Sequence, residues 1–520
     1  MREASGTISP AVRTNRSVAV KSGKSPHATP PVSIDVTAIP MTPEPTPQAT
    51  AAPDAAATET AGDLLGGQTA VELFDLRTPR VQLRHDGTDT ATVLVLMNGS
   101  DLESDYQEAT ADIAEMVRAQ KSDRVNILIE TVGTKKWAST FGISARHTQR
   151  WRVANGTLAL VDDSLPQLDT TVPSTLSDFI RWGAANYPAD RYILILWDHG
   201  GGPVYGFGYD EYQPYSSTLT IDEMQTALRD GGVYFDVIGM DSCLMSSLEV
   251  CCALYDYCDY TILSEDFEPG CGWAYTGWLN ALCADPAIET PALGKTLIDD
   301  SVRYSESHKN EDGGMTLALI DQSHIKRLYP AWVEFAYANE EALLDANYSQ
   351  LRQSTGRAHP LVKSVGDWFS QESTLEDYCV TDILSVAQNI DSEESAALVA
   401  ALRECIVYYN ATSDETTLTG ISVTLPYGDR DFYTELKRVF RNAGFDEDYI
   451  KWLERFTAVE TSSDAFFDFG GWSDLWGGWG DTDDGWGHAD GGFDWNTFFY
   501  DDGSEEDGWL HDDWFSWFFD

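Results

Sequence analysis

The sequence predicts an α/β fold in which a central, mostly parallel β-sheet is covered by helices on both faces. Continuous apolar runs at residues 92–97, 125–129 and 192–197 have the length and composition of strands buried on both sides. Segments with helical periodicity lie between most of the successive runs, as in βαβ units. The chain has no repeat with a period of 20–50 residues, which would be typical of a repeat architecture.

The first part of this fold begins with the strand at 92–97. Ser104 and Gln107 then form a candidate capping box for a helix whose apolar residues continue to Val117. The strand at 125–129 follows. About 40 residues with scattered aromatic side chains come next, and they favour a hairpin-like excursion.

The second part repeats the alternation. A helix that ends at Pro188 leads into the strand at 192–197. Thr220 and Glu223 give a second candidate capping box, and a strand at 236–240 follows that helix. The remaining predicted elements are a helix at 246–254 and strands at 260–263, 315–320 and 421–425.

Composition separates both ends of the chain from this body. Residues 1–84 are rich in Pro, Thr and Ala and poor in aromatic residues, which predicts a disordered segment. Residues 461–520 hold eight of the 17 Trp residues, set among Gly and Asp, and form an acidic low-complexity tail suited to binding a cell surface or a protein partner. The folded domain is therefore expected at 85–460.

The chain is strongly acidic, with a formal charge of −50, of which residues 1–80 carry −1 and residues 461–520 carry −16. The −33 left on residues 81–460 argues against binding to nucleic acid and favours cationic partners. A soluble surface adapted to its medium is the plainer alternative. No apolar run approaches the roughly 18 to 20 residues of a membrane span, and no signal peptide is visible at the N-terminus.

The eight cysteines lie between residues 243 and 405, and none forms a C-x-x-C pair. No histidine is spaced to complete a zinc site with them. Disulfides among the five cysteines from 251 to 283 are one alternative, and small buried thiols are the more ordinary one.

Two of the predicted strands end on residues capable of covalent chemistry. The strand at 192–197 leads to His199, and the strand at 236–240 leads to Cys243. Because catalytic groups collect beyond the carboxyl ends of parallel strands, we expect the two side chains to meet over one crevice. A thiol needs a base or a favourable field to become a competent nucleophile, and His199 can supply the base. Taken singly, each residue is more often structural.

Other groups at these strand ends fit the same chemistry. The helix predicted from residue 246 would direct its N-terminal dipole at Cys243 and favour the thiolate. The backbone N–H groups of Gly200 and Cys243 are candidate donors to an oxyanion. Asp241 precedes Cys243 by two residues, so both side chains can lie on the same side of the strand. A carboxylate there would select a substrate with Lys or Arg beside the scissile bond.

These motifs resemble the clostripain family of cysteine peptidases, whose fold is related to that of caspases. The resemblance spans roughly residues 88–458 and rests on motifs that occur in the family's order. They are residues 97–103, 192–202, 206–211, 236–245, 264–273 and 420–427. The resemblance implies a caspase-like three-layer sandwich and endopeptidase cleavage after Arg or Lys. It also implies that His199 is the general base and acid, that Cys243 is the nucleophile of a thioester acyl-enzyme, and that Asp241 binds the basic P1 residue.

The resemblance leaves some properties open. Some relatives carry an acid at the position of Cys271, so we expect Glu265, Asp266 or Glu268 to supplement Asp241. Calcium is the cofactor that the family implies, although no EF-hand spacing places its ligands. The family also implies secretion or a cell-surface location, with the cytoplasm as the alternative. An alternative function is a weakly active or inactive surface-binding protein whose aromatic acidic tail engages a partner.

Overall fold

The structure is a computed structural model. It describes residues 78–154, 156–213, 218–312, 314–345, 379–390, 392–413 and 418–458. The predicted acidic tail and almost all of the predicted N-terminal segment lie outside these ranges, so their disorder remains a prediction. The first described residues are tied to the body, because the backbone N–H groups of Arg80 and Val81 each donate to the Asp259 carboxylate at 2.9 Å.

Eleven strands are present in the described part of the chain. They are β1 (Ala91–Asn98), β2 (Val125–Val132), β3 (Gln149–Ala154), β4 (Thr157–Asp162), β5 (Arg191–Trp197), β6 (Phe235–Asp241), β7 (Cys258–Leu263), β8 (Thr316–Asp321), β9 (Val380–Asp382), β10 (Ile406–Ala411) and β11 (Ser422–Thr424). Nine of them form one sheet in the order β10-β8-β7-β6-β5-β1-β2-β3-β4, and β9 pairs with β11 in a second sheet.

The centre of the large sheet is parallel. Strands β2, β1, β5, β6 and β7 run in the same direction, whereas β3, β4, β8 and β10 join its two sides by antiparallel pairing. The chain passes from β1 to β2 on one side and later places β5 and β6 on the other. The order of the strands therefore reverses at β1, which creates the kind of crevice where α/β proteins bind ligands.

Helices cover both faces of this sheet. The α-helices are α1 (Glu108–Arg118), α2 (Pro173–Asn186), α3 (Gly202–Tyr205), α4 (Ile221–Gly231), α5 (Leu248–Leu254), α6 (Tyr275–Ala284), α7 (Thr290–Asp312), α8 (Ile325–Ala338), α9 (Glu340–Asp345), α10 (Ile383–Asn389), α11 (Glu393–Cys405), α12 (Arg430–Ala443) and α13 (Glu447–Leu453). A π-helical turn spans Leu102–Tyr106, and 3-10 turns span Gln322–His324 and Glu454–Ala458.

Each face of the sheet has its own apolar core because successive strand residues point to opposite faces. Leu94 and Leu96 of β1 pack with α2, α4, α5, α8 and the C-terminal helices. Val93 and Val95 of the same strand pack with α1, α6 and α7. The predicted α/β class, with a central mostly parallel sheet between two helical layers, is confirmed.

One predicted capping box is confirmed and the other is wrong. At the start of α4, the Thr220 side chain and the Glu223 side chain make the reciprocal bonds of a capping box, and Gly232 ends the helix in a left-handed conformation. Before α1, the chain instead forms the π-helical turn, with Gln107 at a φ of 67° as the N-cap of α1. Ser104 donates its hydroxyl hydrogen bond to Glu211 at 3.0 Å.

The predicted excursion after β2 is the β3–β4 hairpin, and the predicted strands at 260–263 and 315–320 correspond to β7 and β8. The segment at 421–425 contains a strand, but this strand, β11, pairs with β9 outside the large sheet. The sequence did not predict β9 or β10. All eight cysteines are free thiols, so the disulfide alternative is wrong. None of the helices in the described ranges combines the length and hydropathy of a membrane span.

Candidate active site

The ends of three neighbouring parallel strands carry the candidate catalytic residues. In the register of the sheet, Met97 of β1 pairs with Trp197 of β5, and Trp197 pairs with Asp241 of β6. His199 and Cys243 each follow two residues after the paired positions in β5 and β6. The strand alignment therefore delivers both residues to the same edge of the sheet, as the sequence predicts.

One pocket contains both His199 and Cys243. Its wall comes from the turn after β1, the ends of β5 and β6, and the loop that follows β7. The residues that line it are Asp101, Leu102, Tyr106, 197–200, 241–243, 267–270 and Gly272. Neither Glu265 nor Asp266 is among them.

Gly200 allows the two strand-end loops to touch. A Cβ atom added at Gly200 would lie 1.9 Å from the carbonyl oxygen of Cys243 and 3.0 Å from its backbone nitrogen. Any larger residue would push the loops apart. Glycine thus brings the backbone of residue 200 against Cys243, where the predicted oxyanion donors belong.

A carboxylate holds the imidazole of His199. Asp101 Oδ1 lies 3.0 Å from His199 Nε2, and both side chains are largely buried. Burial alone would lower the pKa of His199, but the hydrogen bond with Asp101 and the charge of Asp198 raise it above 6.5 overall. The imidazolium form is therefore favoured at this site, relative to a free histidine.

Asp198 is engaged with neighbouring donors. Its carboxylate accepts from the Ser100 hydroxyl at 2.7 Å, from the Tyr209 N–H at 2.6 Å, and from the side-chain amide of Asn98. Burial raises the pKa of Asp198 to about 7. These bonds connect the end of β5 to the segment after β1 and to the loop around Tyr209.

The thiol of Cys243 lies against the backbone of Glu268. Cys243 Sγ accepts from the Glu268 N–H at 3.2 Å, and the S–H faces the Glu268 carbonyl oxygen at 3.8 Å. Burial raises the pKa of Cys243 to about 12, and the charges of Glu268 and Asp266 act in the same direction. The helix predicted after Cys243 is α5, which begins at Leu248, and its effect on the thiolate stays a prediction.

Buried carboxyl groups lie next to the nucleophile. Asp241 Oδ2 accepts from the Tyr275 hydroxyl at 2.8 Å and from the Trp273 N–H at 3.2 Å. Asp112 accepts from the indole N–H of Trp197 at 2.7 Å. A Cβ atom at Gly272 would lie 3.0 Å from an Asp112 oxygen and 3.3 Å from both Asp241 oxygens, so the two carboxylates border the same space.

Glu268 is the third member of this group, which we call the acidic pocket (Asp112, Asp241 and Glu268). Glu268 Oε1 accepts from the Trp273 indole N–H at 3.1 Å, and its carboxyl group is hydrogen-bonded to that of Asp241. Two carboxyl groups can bond to each other only if one of them carries a proton.

The acidic pocket lacks a counter-ion within the described part of the chain, since no Lys, Arg or His there forms a salt bridge with its three acids. Burial raises the pKa of Asp241 to about 6. Burial and the neighbouring Asp241 charge raise the pKa values of Asp112 and Glu268 well above their ordinary range. An incoming cation would therefore replace protons that these carboxyl groups share.

The structure places Glu265 and Asp266 away from the pocket, which corrects the prediction that they bind substrate. Glu265 Oε2 accepts from the Gly420 N–H at 2.6 Å and from the Thr419 N–H at 3.1 Å. The Asp266 side chain is buried and accepts from the Phe267 N–H at 2.8 Å. Both acids stabilise loop structure, and neither contacts the space beside Cys243. Of the three acids considered beside Asp241, only Glu268 reaches it.

Two residues of the site were missed in the sequence. Asp101 follows the carboxyl end of β1, where catalytic groups collect in parallel sheets, as they do beyond β5 and β6. Asp112 lies on the buried face of α1 together with Ala109, Ile113 and Met116. Its position could have been recognised from the sequence as a carboxylate on a mainly apolar helix face. Burial of an isolated charge costs free energy, so such a residue is a candidate for a functional role.

The described residues offer no evident site for the calcium ion that the sequence resemblance implies. No group of three or more His, Cys, Asp or Glu side chains in the described ranges is arranged to hold a metal ion. We therefore derive no step of the chemistry through a metal.

Comparisons with known proteins found one matching family and several similar structures. A family model, Peptidase C11 of the clostripain family, matches residues 95–465. A secreted C11 cysteine protease from Bacteroides thetaiotaomicron, solved with an irreversible peptide inhibitor, is 18% identical, and the match covers 69% of this chain and 100% of that one with a TM-score of 0.49. An inactive zymogen C11 protease from Parabacteroides distasonis is 16% identical, with 71% and 99% covered and a TM-score of 0.48. No curated protein matches the sequence.

Proposed function

The chain belongs to the clostripain family of cysteine peptidases, and from this premise we propose that it hydrolyses peptide bonds after Arg or Lys by means of His199 and Cys243. One observation carries the proposal. A single cavity is bordered by a histidine held by a carboxylate, by a cysteine, and by two acids of the acidic pocket, Asp241 and Glu268. The acidic pocket has no counter-ion among the described residues. The cavity thus combines a base, a nucleophile and a receptor for a cation.

The first half of the reaction forms a thioester. Sγ of Cys243 bonds to the carbonyl carbon of the substrate while His199 takes the thiol proton, and the C=O electron pair moves to the oxygen. The N–H groups of Gly200 and Cys243 are the proposed donors to that oxyanion. When the tetrahedral intermediate collapses, the C–N bond breaks and His199 gives its proton to the leaving nitrogen.

The second half releases the acid product. Water attacks the thioester carbon while His199 accepts its proton. The C–S bond then breaks, and the proton on His199 returns to Cys243. Each residue ends in the state in which it began.

The acidic pocket supports the preference for a basic P1 residue. A P1 ammonium or guanidinium group near Asp241 and Glu268 would take the place of the proton that they share. It would also offset the charges of Glu268 and Asp266, which add to burial, the main cause of the raised pKa of Cys243. Binding of the correct side chain thus makes the thiol easier to ionise, so recognition and activation occur together.

The direct test compares short peptide reporters that differ only at P1, with Arg, Lys or norleucine. We expect efficient hydrolysis after Arg and Lys, slow hydrolysis after norleucine, and no hydrolysis by Cys243→Ala or His199→Ala. Equal rates for wild type and Cys243→Ala would refute the mechanism. Equal rates for Arg and norleucine would leave the mechanism in place and remove the role of the acidic pocket.

Three further properties stay predictions. Calcium dependence is tested by adding calcium or a chelator to the same assay. Secretion is tested by fractionating the cells that produce the protein. The binding role of residues 461–520, which lie outside the described residues, is tested by deleting them and measuring peptide hydrolysis and cell-surface binding separately.

A further inference from the structure

We infer that Asp101 is a positioning residue for His199, so that the reaction uses an aligned set of three side chains, Asp101, His199 and Cys243. This inference rests on the proposed function and extends it. The three residues come from the ends of β1, β5 and β6, which are adjacent strands of the parallel sheet.

The contact between Asp101 and His199 has the geometry of a charge-assisted hydrogen bond. Asp101 Oδ1 and His199 Nε2 are 3.0 Å apart, and the side chains are only 8% and 12% exposed. With water largely excluded, such a bond is stronger and better defined than one on the surface. The other oxygen, Asp101 Oδ2, is buried without a hydrogen-bond partner among the described residues.

The bond to Nε2 determines how the imidazole can react. A carboxylate accepts only, so Nε2 must carry the hydrogen that it donates to Asp101. Nδ1 is then the ring nitrogen that can accept the thiol proton of Cys243. As the imidazolium forms, the carboxylate at Nε2 stabilises its charge, which is the role of the aspartate in a Ser-His-Asp triad.

Asp101 is placed by a rigid turn. The Gly99 N–H donates to the Val132 carbonyl at 2.9 Å, and the Glu103 N–H donates to the Gly99 carbonyl at 2.7 Å. The buried Glu103 carboxylate accepts from the Thr110 N–H at 2.8 Å and from the Ala138 N–H at 2.7 Å. These bonds tie the turn after β1 to α1 and to the segment after β2. A fixed turn is what a positioning residue requires.

Asp198 is the competing candidate because it precedes His199 directly. Its carboxylate is already engaged by Ser100, Tyr209, Asn98 and the backbone of His199, and it raises the pKa of the imidazole through its charge. Of Asp101 and Asp198, only Asp101 both carries a nearby charge and forms a hydrogen bond with the imidazole ring. The orientation of the imidazole is therefore assigned to Asp101.

The experiment compares wild type with Asp101→Asn and Asp101→Ala, and uses Asp105→Asn as the matched control. Asp105 is exposed and lies in the same turn. We expect kcat/KM for Arg reporters to fall by roughly 10²- to 10⁴-fold in both Asp101 variants, mainly through kcat. Asp105→Asn should keep the wild-type rate. Formate added to Asp101→Ala should restore part of kcat, because it can occupy the space of the missing carboxylate.

A second measurement reports on the ring itself. NMR titration of labelled histidines should show that the pKa of His199 falls in Asp101→Asn, since the Asp101 bond is among the interactions that raise it. The other titratable groups that line the pocket with His199 are Tyr106, Asp198, Asp241, Cys243 and Glu268, and they are unchanged in this variant. A variant that had only lost structure would not show both a displaced titration and rescue by formate.

The outcomes separate the inference from the proposed function. If wild type shows no hydrolysis that depends on Cys243, the proposed function fails, whatever Asp101 does. If wild type is active but Asp101→Asn keeps its kcat and its His199 titration, the inference alone is overturned. Loss of activity in Asp101→Ala without any rescue by formate, and with an unchanged titration, would also overturn it.

Discussion

Replacing Asp241 by Asn should make the protein more stable and much less active. Burial raises the pKa of Asp241 from 3.8 to about 6. The folded protein therefore holds the proton more tightly than the unfolded chain does. The stability that this proton provides is complete below the unfolded pKa and is lost as the pH rises through about 6.

The size of this effect follows from the shift in pKa. About two pKa units correspond to roughly 3 kcal/mol, by which the ionised carboxylate destabilises the fold at neutral pH. Asn has no charge at any pH and can still accept the hydrogen bond of the Tyr275 hydroxyl. Asp241→Asn should therefore not lose stability as the pH rises from 4 to 7.5, as wild type does.

Urea unfolding at pH 4 and pH 7.5 measures this difference in the free energy of unfolding between wild type and Asp241→Asn. We expect wild type and Asp241→Asn to have similar free energies of unfolding at pH 4, and the variant to be more stable by roughly 3 kcal/mol at pH 7.5. Asp123→Asn, at an exposed position away from the pocket, is the control and should match wild type at both pH values. A variant that is less stable than wild type at pH 7.5 would refute the assignment of Asp241 as a buried, uncompensated acid.

The same variant should lose activity on basic substrates. The carboxylate that faces the P1 cation is gone, and loss of one partner of a buried ion pair costs about 3 to 5 kcal/mol. We expect kcat/KM for Arg and Lys reporters to fall by roughly 150- to 5,000-fold, and the norleucine reporter to change little. Wild-type selectivity in this variant would contradict the proposed pocket.

Three other changes test separate parts of the account. Iodoacetamide should alkylate Cys243 slowly at neutral pH, because burial raises the pKa of the thiol to about 12. Butylguanidinium should accelerate this alkylation by placing a cation in the acidic pocket, and peptide mass spectrometry gives the rate. An alkylation rate that butylguanidinium does not change would contradict the link between substrate recognition and thiol activation. Gly200→Ala should reduce kcat severely, since the new methyl carbon would lie 1.9 Å from the Cys243 carbonyl oxygen; a wild-type kcat would show that the loops need not touch. Thr220→Ala should lower the free energy of unfolding by about 1 kcal/mol through loss of the N-cap and leave kcat unchanged, because Thr220 does not line the pocket.

Much of the fold was predictable because the parallel strands are almost entirely buried and rich in apolar residues. β1, β2, β5 and β6 are buried on both faces, so their sequences carry no competing pattern. β10 was missed because its side chains are largely half-exposed, as expected at the edge of a sheet. β9 was missed because it has only three residues, too few for periodicity to identify. β11 is equally short but lies within the strand predicted at 421–425, and what the sequence did not predict is its pairing with β9 outside the large sheet.

The candidate site was predictable where chemistry follows directly from a strand. His199 and Cys243 stand two residues beyond paired strand positions, so sequence distance fixed their placement. In the acidic pocket, Asp112 belongs to a helix, and Glu268 belongs to a loop that contacts Cys243. Contacts of that kind depend on tertiary packing and not on local spacing. The high pKa of Cys243 likewise results from burial beside Glu268, which no local motif encodes.

The most direct test of the central claim is to map the bonds that the protein cuts. A reduced and alkylated protein substrate is digested with wild type and with Cys243→Ala, and mass spectrometry identifies the residue on the N-terminal side of each cleaved bond. We expect Arg or Lys at that position in the wild-type digest and no cleavage by Cys243→Ala. Cleavage by both proteins, or cleavage without regard to Arg and Lys, would contradict the assignment of Cys243 and of the acidic pocket.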